Sequence, residues 1–136
     1  MSGSKPVIGL RKNGREVQVD LHGYSTATAL WLAREVVESA WERGCERVVL
    51  IHGAKHVATR ATSDQVGQGG TKWALRDALT RGQYKRWAEP ANSNKHERKA
   101  VSDRLVVALR PNPRPDPGAD WPDPPEHEYE RTRRRD

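Results

Sequence analysis

The chain has 136 residues, 35% of them hydrophobic and 31% charged, with a formal net charge of +6. That is enough apolar material for one modest core rather than two. A single cysteine, Cys45, excludes an internal disulfide and any zinc site built on cysteines, and no apolar run reaches the roughly eighteen residues needed to span a bilayer.

The first signal along the chain is Asn13-Gly14, flanked by Val7 to Leu10 and Val17 to His22. Asn-Gly tolerates the positive φ of a type I′ turn, so a β-hairpin is expected. On its second strand Val17, Val19 and Leu21 face one way and Gln18, Asp20 and His22 the other. A helix is predicted next, from Thr26 to Arg43, with Ser25 as N-cap and Gly44 just past its end. Ala29, Leu30, Ala33, Val36, Val37, Ala40 and Trp41 line its core face, and Trp31 falls with Glu35, Glu38 and Glu42 on the other. Arg47 to Ile51 carries a continuous apolar run, as in a central strand covered on both faces. The polar stretch 53–70 is too long for a mere connector and is expected to be a functional loop.

A second helix is predicted from Thr71 to Arg81, with Ala74, Leu75, Ala78 and Leu79 on its core face and Trp73 and Asp77 pointing away. Tyr84 and Trp87 extend the hydrophobic cover, residues 90–101 read as loop, and Arg104 to Leu109 read as a closing strand. Trp31 and Trp73 are expected to pack under a loop or the tail, with stacking on unpaired bases as the alternative. The order is β-hairpin, α, β, α, β: a single small α/β domain with two helices on one mixed sheet.

Seven of the nine prolines lie within 111–125. Proline fixes φ and removes a backbone donor, so 111–136 is expected to be a Pro-rich, charged, disordered or loosely attached tail. Residues 1–15 form the N-terminal segment and first hairpin strand, and 16–110 the body of the domain. Residues 1–110 hold 19 Lys/Arg against 11 Asp/Glu, whereas 111–136 hold 5 against 7. A basic domain attracts polyanions by counterion release, which makes DNA or RNA the expected partner and a membrane not. A lone thiol and the polar Met1 to Lys5 fit a cytoplasmic location.

Two segments carry the chemistry. Val19-Asp20-Leu21-His22-Gly23 places a carboxylate and an imidazole at the end of one strand, and Ile51-His52-Gly53 ends another in the same His-Gly pair. Ligands of open α/β sheets gather beyond the carboxyl ends of strands, where such groups suit proton transfer or a metal. Gly23 and Gly53 would let a phosphate approach closely. Gly69 and Gly70 precede a helix start, whose free N–H groups and dipole favour an anion, and Lys72 and Arg76 lie on that helix. His56 lies in the long loop as a candidate substrate contact, whereas His96, in the charged run Lys95 to Lys99, reads as a solvated loop residue. His22, His52 and His56 could gather a metal, although no spacing demands one.

Together these segments resemble the Smr (small MutS-related) domain. Asp20-Leu21-His22-Gly23 looks like that family's LDxHG motif, Ile51-His52-Gly53 like the start of its HGxG motif, Leu75-Arg76 like its Leu-Arg pair, and Leu105 to Leu109 like its closing strand. The resemblance covers 16–110. It departs at Lys55, where HGxG has glycine, and at Lys99 to Ser102, where a Gly-Gly stretch is expected. It implies a fold similar to the C-terminal domain of bacterial translation initiation factor three, binding to DNA, RNA or the ribosome, and in some members endonucleolytic cleavage, with Mg²⁺ or Mn²⁺ as the candidate cofactor. In that reading Asp20 orients or activates the attacking group, His22 and His52 act as proton-transfer groups or phosphate donors, and Lys55, Lys72 and Arg76 contact the backbone. The alternative is an adaptor module that binds nucleic acid or the ribosome without cutting.

Overall fold

The computed structural model describes residues 6–54, 70–99 and 101–126. Its elements, in chain order, are β1 (Ile8–Arg11), β2 (Glu16–Asp20), α1 (Thr26–Glu42), β3 (Arg47–Ile51), α2 (Gly70–Thr80) and β4 (Arg104–Ala108). They form a small α/β domain whose one sheet runs in chain order, β1-β2-β3-β4. β1 is antiparallel to β2, β2 parallel to β3, and β3 antiparallel to β4, with Asp20 paired to Ile51 and Ile51 to Arg104. The expected mixed sheet with two helices is therefore present.

Local chemistry explains the joints. The hairpin turn is left-handed at Lys12, Asn13 and Gly14, with φ of 53°, 59° and 80°. Gly14 N–H bonds Arg11 C=O at 3.1 Å and Arg15 N–H bonds Lys12 C=O at 3.2 Å, so two turns overlap and the second is centred on the expected Asn13-Gly14 pair. Ser25 accepts from Thr28 N–H and caps α1. At the other end Gly44, at φ +84°, allows its own N–H to reach Trp41 C=O and that of Cys45 to reach Ala40 C=O, the paired bonds of a Schellman close. No helix among the described residues is long and apolar enough to cross a membrane.

The core lies between the helices and one face of the sheet. Val17, Val19, Val48, Leu50, Leu105 and Val107 supply the sheet side, and Ala29, Leu32, Ala33, Val36, Val37, Leu75 and Leu79 the helix side. Leu32 is fully buried on the same stripe as Ala29 and Val36, whereas Leu30 and Trp41, expected on the core face, lie at the rim of the core. Tyr84 and Trp87 complete the cover as expected, and burial pushes the Tyr84 hydroxyl up to about 12.

Two expectations are corrected. His96 is not a solvated loop residue. It is 6% exposed, its Nδ1 accepts from Ala108 N–H at 3.0 Å, and its Nε2 donates to Pro90 C=O at 3.0 Å and Glu89 C=O at 3.2 Å. It fastens residues 89–97 to the outer edge of β4, where Glu97 and Val106 also exchange backbone bonds. An edge strand left bare would expose such groups to chance pairing, so the charged run serves as a cover. The proline-rich stretch also departs from the expected loose tail. Residues 111–126 have no regular secondary structure, but they form a strap against α1. Asn112 Nδ2 donates to Trp41 C=O at 2.8 Å, Asp116 N–H to Glu42 C=O at 2.7 Å, and the Arg43 guanidinium stacks over Trp121 at 4.8 Å. Prolines lose little entropy when ordered, and the free carbonyls at a helix end need donors.

Candidate functional site

The parallel pairing of β2 and β3 brings both carboxyl ends to one edge of the sheet. Both helices begin there too, for Thr26 Oγ1 and Thr71 Oγ1 lie 3.1 Å apart. β4 starts at the same edge, and the backbone carbonyl of Asp103 accepts from both His52 N–H at 2.8 Å and Gly53 N–H at 3.0 Å. The sequence carried no signal for Asp103, because its part is played by a main-chain oxygen.

The two His-Gly pairs meet. Gly53 is at φ +83°, and a Cβ added to it would stand 2.9 Å from Cδ2 of His22. The absent side chain of Gly53 is thus the seat of the His22 ring, and Gly53 meets an imidazole rather than open space. β2 ends at Asp20, so Asp20 and His22 do not share a strand face as expected. Instead Asp20 Oδ1 accepts from His22 N–H at 3.0 Å and holds the turn that carries the exposed His22 ring. Gly23, at φ +92°, continues that turn into α1.

His52 is of a different kind. It is 7% exposed, and its Nδ1 accepts from Ala54 N–H at 3.0 Å. The proton of the neutral ring therefore sits on Nε2, which is buried without a partner among the described residues. Burial first, then the charges of Lys72 and Arg76, lower its pKa from 6.5 to about 4. At neutral pH His52 is a fixed hydrogen-bond donor and cannot give up a second proton as an imidazolium would.

The helix cations are also placed differently from expectation. Lys72 was expected to reach a phosphate backbone, but its side chain is fully buried, with Nζ 3.5 Å from Ala54 C=O. The Leu-Arg pair splits between core and surface: Leu75 is fully buried, while Arg76 donates to Arg98 C=O at 3.0 Å and Lys99 C=O at 2.5 Å. Arg76 thereby holds the segment before β4, and its Nε is buried without a partner among the described residues. Burial, followed by the neighbouring positive charge, disfavours the charged form of both side chains. Gly70 is exposed at the first turn of α2. Lys55, His56 and Gly69 lie outside the described residues.

On the open face of the sheet, at this edge, a groove of about 480 Å³ is lined by Asp20, Ile51, Asp103, Arg104, Gln18 and Arg11. Arg104 forms two bonds to the Asp103 carboxylate, at 2.8 and 3.3 Å, which hold that carboxyl below its ordinary range. A cavity of about 580 Å³ lies at the opposite end of the sheet, but Arg47 and Lys95 in its wall are already paired with Glu16 and Glu89. Among the described residues no group of three or more His, Cys, Asp or Glu converges in a way that could hold a metal. Asp20 and His22 are at the surface, but His52 has committed Nδ1 to Ala54 and closed Nε2 off.

Trp31 is 48% exposed rather than covered, beside Arg34, Gln83 and Tyr84. Trp73 is half-buried between Lys72 and Arg76, whose charged groups stand 5.4 Å from its ring. Comparison with protein-family models, curated proteins and solved structures finds no match to this chain.

Proposed function

We propose that this chain is a nucleic-acid-binding domain of the Smr type that grips the phosphate backbone where β2 and β3 end. The observation that carries this reading is the seating of the His22 ring on Gly53, which makes one site of two His-Gly segments 30 residues apart in sequence. At the same edge stand the N-termini of two helices, and the charges of Lys72 and Arg76 act on His52 there, while Arg104 is paired with Asp103. Donors and positive dipoles gathered at one edge favour an anion, and the net charge of +6 draws a polyanion to it. The same reading brings a fold similar to the C-terminal domain of translation initiation factor three, a cytoplasmic setting, and RNA, DNA or the ribosome as target.

Within this reading the roles divide. Exposed His22, whose turn Asp20 holds, is the group placed to exchange a proton at a phosphodiester, whereas His52, with Nδ1 engaged and Nε2 closed off, positions the backbone of the strand end. A second reading, binding without cleavage, is favoured by one observation: His52 is locked neutral with its only acceptor nitrogen engaged, which leaves Asp20 and His22 to move any proton at this edge.

Incubation with labelled single-stranded RNA, duplex DNA and branched DNA, with Mg²⁺ or Mn²⁺, beside an Asp20→Ala/His22→Ala double variant, separates these outcomes. Cleavage by the parent and not the variant establishes the nuclease. Salt-sensitive binding with no product establishes the adaptor. Absence of binding to all three polymers at low salt overturns the proposal.

A further inference from the structure

An exposed stripe leads along α1 away from the edge where β2 and β3 end. Thr26 and Ala27 open it, Trp31 follows one turn after Ala27, and Arg34 comes next. Trp31 lies five residues past Thr26, about 7.5 Å along the helix axis. It is 48% exposed, whereas Trp41, Trp73 and Trp121 are half-buried and Trp87 is buried. A single apolar side chain at the surface is ordinary, but this one forms the wall of a cleft.

That cleft has a volume of about 410 Å³ and is lined by Leu30, Trp31, Arg34, Gln83 and Tyr84. Its walls are fixed in advance. Tyr84 is buried in the core. Arg34 bonds Glu35 at 2.6 Å and Glu38 at 3.3 Å, and its guanidinium stands 5.2 Å from the Trp87 ring. An indole has only two side-chain torsions, so little freedom is lost when a flat ligand settles against it.

The far wall belongs to the segment Arg81 to Arg86, which holds three cations and no carboxylate. Arg81, Lys85 and Arg86 are all exposed. An apolar protein surface laid over this cleft would have to cover those charges without a counter-charge, which is costly. A nucleotide brings a base for the indole and phosphates for the cations.

We infer that Trp31 stacks on an unpaired nucleobase while Arg81 and Lys85 hold the flanking phosphates, so that a single strand continues from the His22 edge along α1. The inference rests on the nucleic-acid reading and deepens it by naming the substrate class, a single-stranded polymer. In a duplex each base is already covered on both faces by its neighbours, and the indole finds nothing to stack on.

Four proteins test it: the parent, Trp31→Ala, Trp31→Phe, and the double variant Arg81→Ala/Lys85→Ala. Each substitution replaces an exposed side chain, and circular dichroism checks that all four are folded. The probes are oligouridylate and the duplex it forms with oligoadenylate, titrated over a range of salt. Trp31→Ala should bind oligouridylate about 5- to 100-fold more weakly. Its slope of log K against log salt should stay that of the parent, because stacking releases no counterion. Trp31→Phe keeps a ring and should recover most of the loss. The double variant should lower the slope by about 1.4, at roughly 0.7 per phosphate. Duplex affinity should stay within about twofold of the parent for both Trp31 variants.

Equal affinity of parent and Trp31→Ala for oligouridylate overturns the inference and leaves the nucleic-acid reading standing. So does an equal loss on strand and duplex, since the indole would then serve the fold or a contact that needs no unpaired base. An unchanged slope in the double variant removes the phosphate contacts assigned to Arg81 and Lys85. A parent that sediments as a dimer beside a monomeric Trp31→Ala gives the cleft to a second copy of the chain instead. Failure of the parent to bind either probe at low salt removes the underlying reading, and this inference with it.

Discussion

The imidazole of His22 lies against Gly53, so closely that a single added methyl would stand 2.9 Å from its Cδ2. Gly53→Ala should therefore fail twice. The left-handed backbone there, at φ +83°, costs an L-residue about 1–2 kcal/mol, and the new methyl displaces the His22 ring. Urea denaturation should show that loss, and the His22 ring resonances should move while those of His96 stay. A variant with unchanged His22 signals would mean that the ring does not depend on this seat.

His52 makes stability depend on pH on the acid side. Its folded pKa is about 4 against 6.5 for an ordinary histidine, chiefly through burial. Between these values the unfolded chain binds the proton and the folded chain does not, so stability should fall as pH drops from about 6.5 to about 4 and cease to fall on this account below that. His52→Asn keeps an acceptor for Ala54 N–H but cannot titrate. Its stability should be flatter across the same window, by on the order of a few kcal/mol at full amplitude. Parallel pH profiles for parent and variant would contradict the assignment.

His96 joins β4 to the segment that covers its edge. His96→Ala leaves Ala108 N–H without an acceptor in a buried place, and an orphaned buried donor costs about 1–3 kcal/mol. Hydrogen exchange offers the cleanest reading: Ala108 and Val106 amides should lose protection together, because Glu97 is held by the same fastening. Retained protection at Val106 would show that the Glu97 pairing stands by itself.

The strap should contribute to stability through particular contacts rather than through its mere presence. Asn112→Ala removes the donor to Trp41 and Glu42 carbonyls at the end of α1 and should cost about 1 kcal/mol. Arg114 is exposed at the neighbouring position, and Arg114→Ala should stay within about 0.5 kcal/mol of the parent. Thermal unfolding of the pair checks the contrast; equal effects would mean that the Asn112 cap is not what holds the strap.

Much of the fold could be read directly because it rests on local rules. The left-handed turn at Asn13, the cap at Ser25, Gly44 after α1 and the apolar run of Val48 to Ile51 each state their structure within a few residues. His52-Gly53 and His22-Gly23 could be recognised as ends of strands for the same reason. Leu32 follows the same local rule, since Ala29, Leu32, Ala33, Val36, Val37 and Ala40 recur at helical spacing on one buried face.

The partners of long or main-chain groups could not be read locally. Lys72 and Arg76 looked like surface cations by spacing, but their long side chains reach backbone carbonyls of Ala54, Arg98 and Lys99 instead of solvent. His96 looked solvated because its neighbours are charged, but its ring atoms find partners on β4 and at residues 89 and 90.

Sequence alone determined the order and type of the elements, the two His-Gly strand ends and the basic charge, since each depends on residues adjacent in the chain or on composition. Only the tertiary structure decided that the His22 ring rests on Gly53, that His52 is a neutral donor, and that the proline-rich stretch returns along α1. The physical reason is the same in each case: a hydrogen bond, a buried charge or a close contact acquires its meaning from groups tens of residues away, which the sequence does not place.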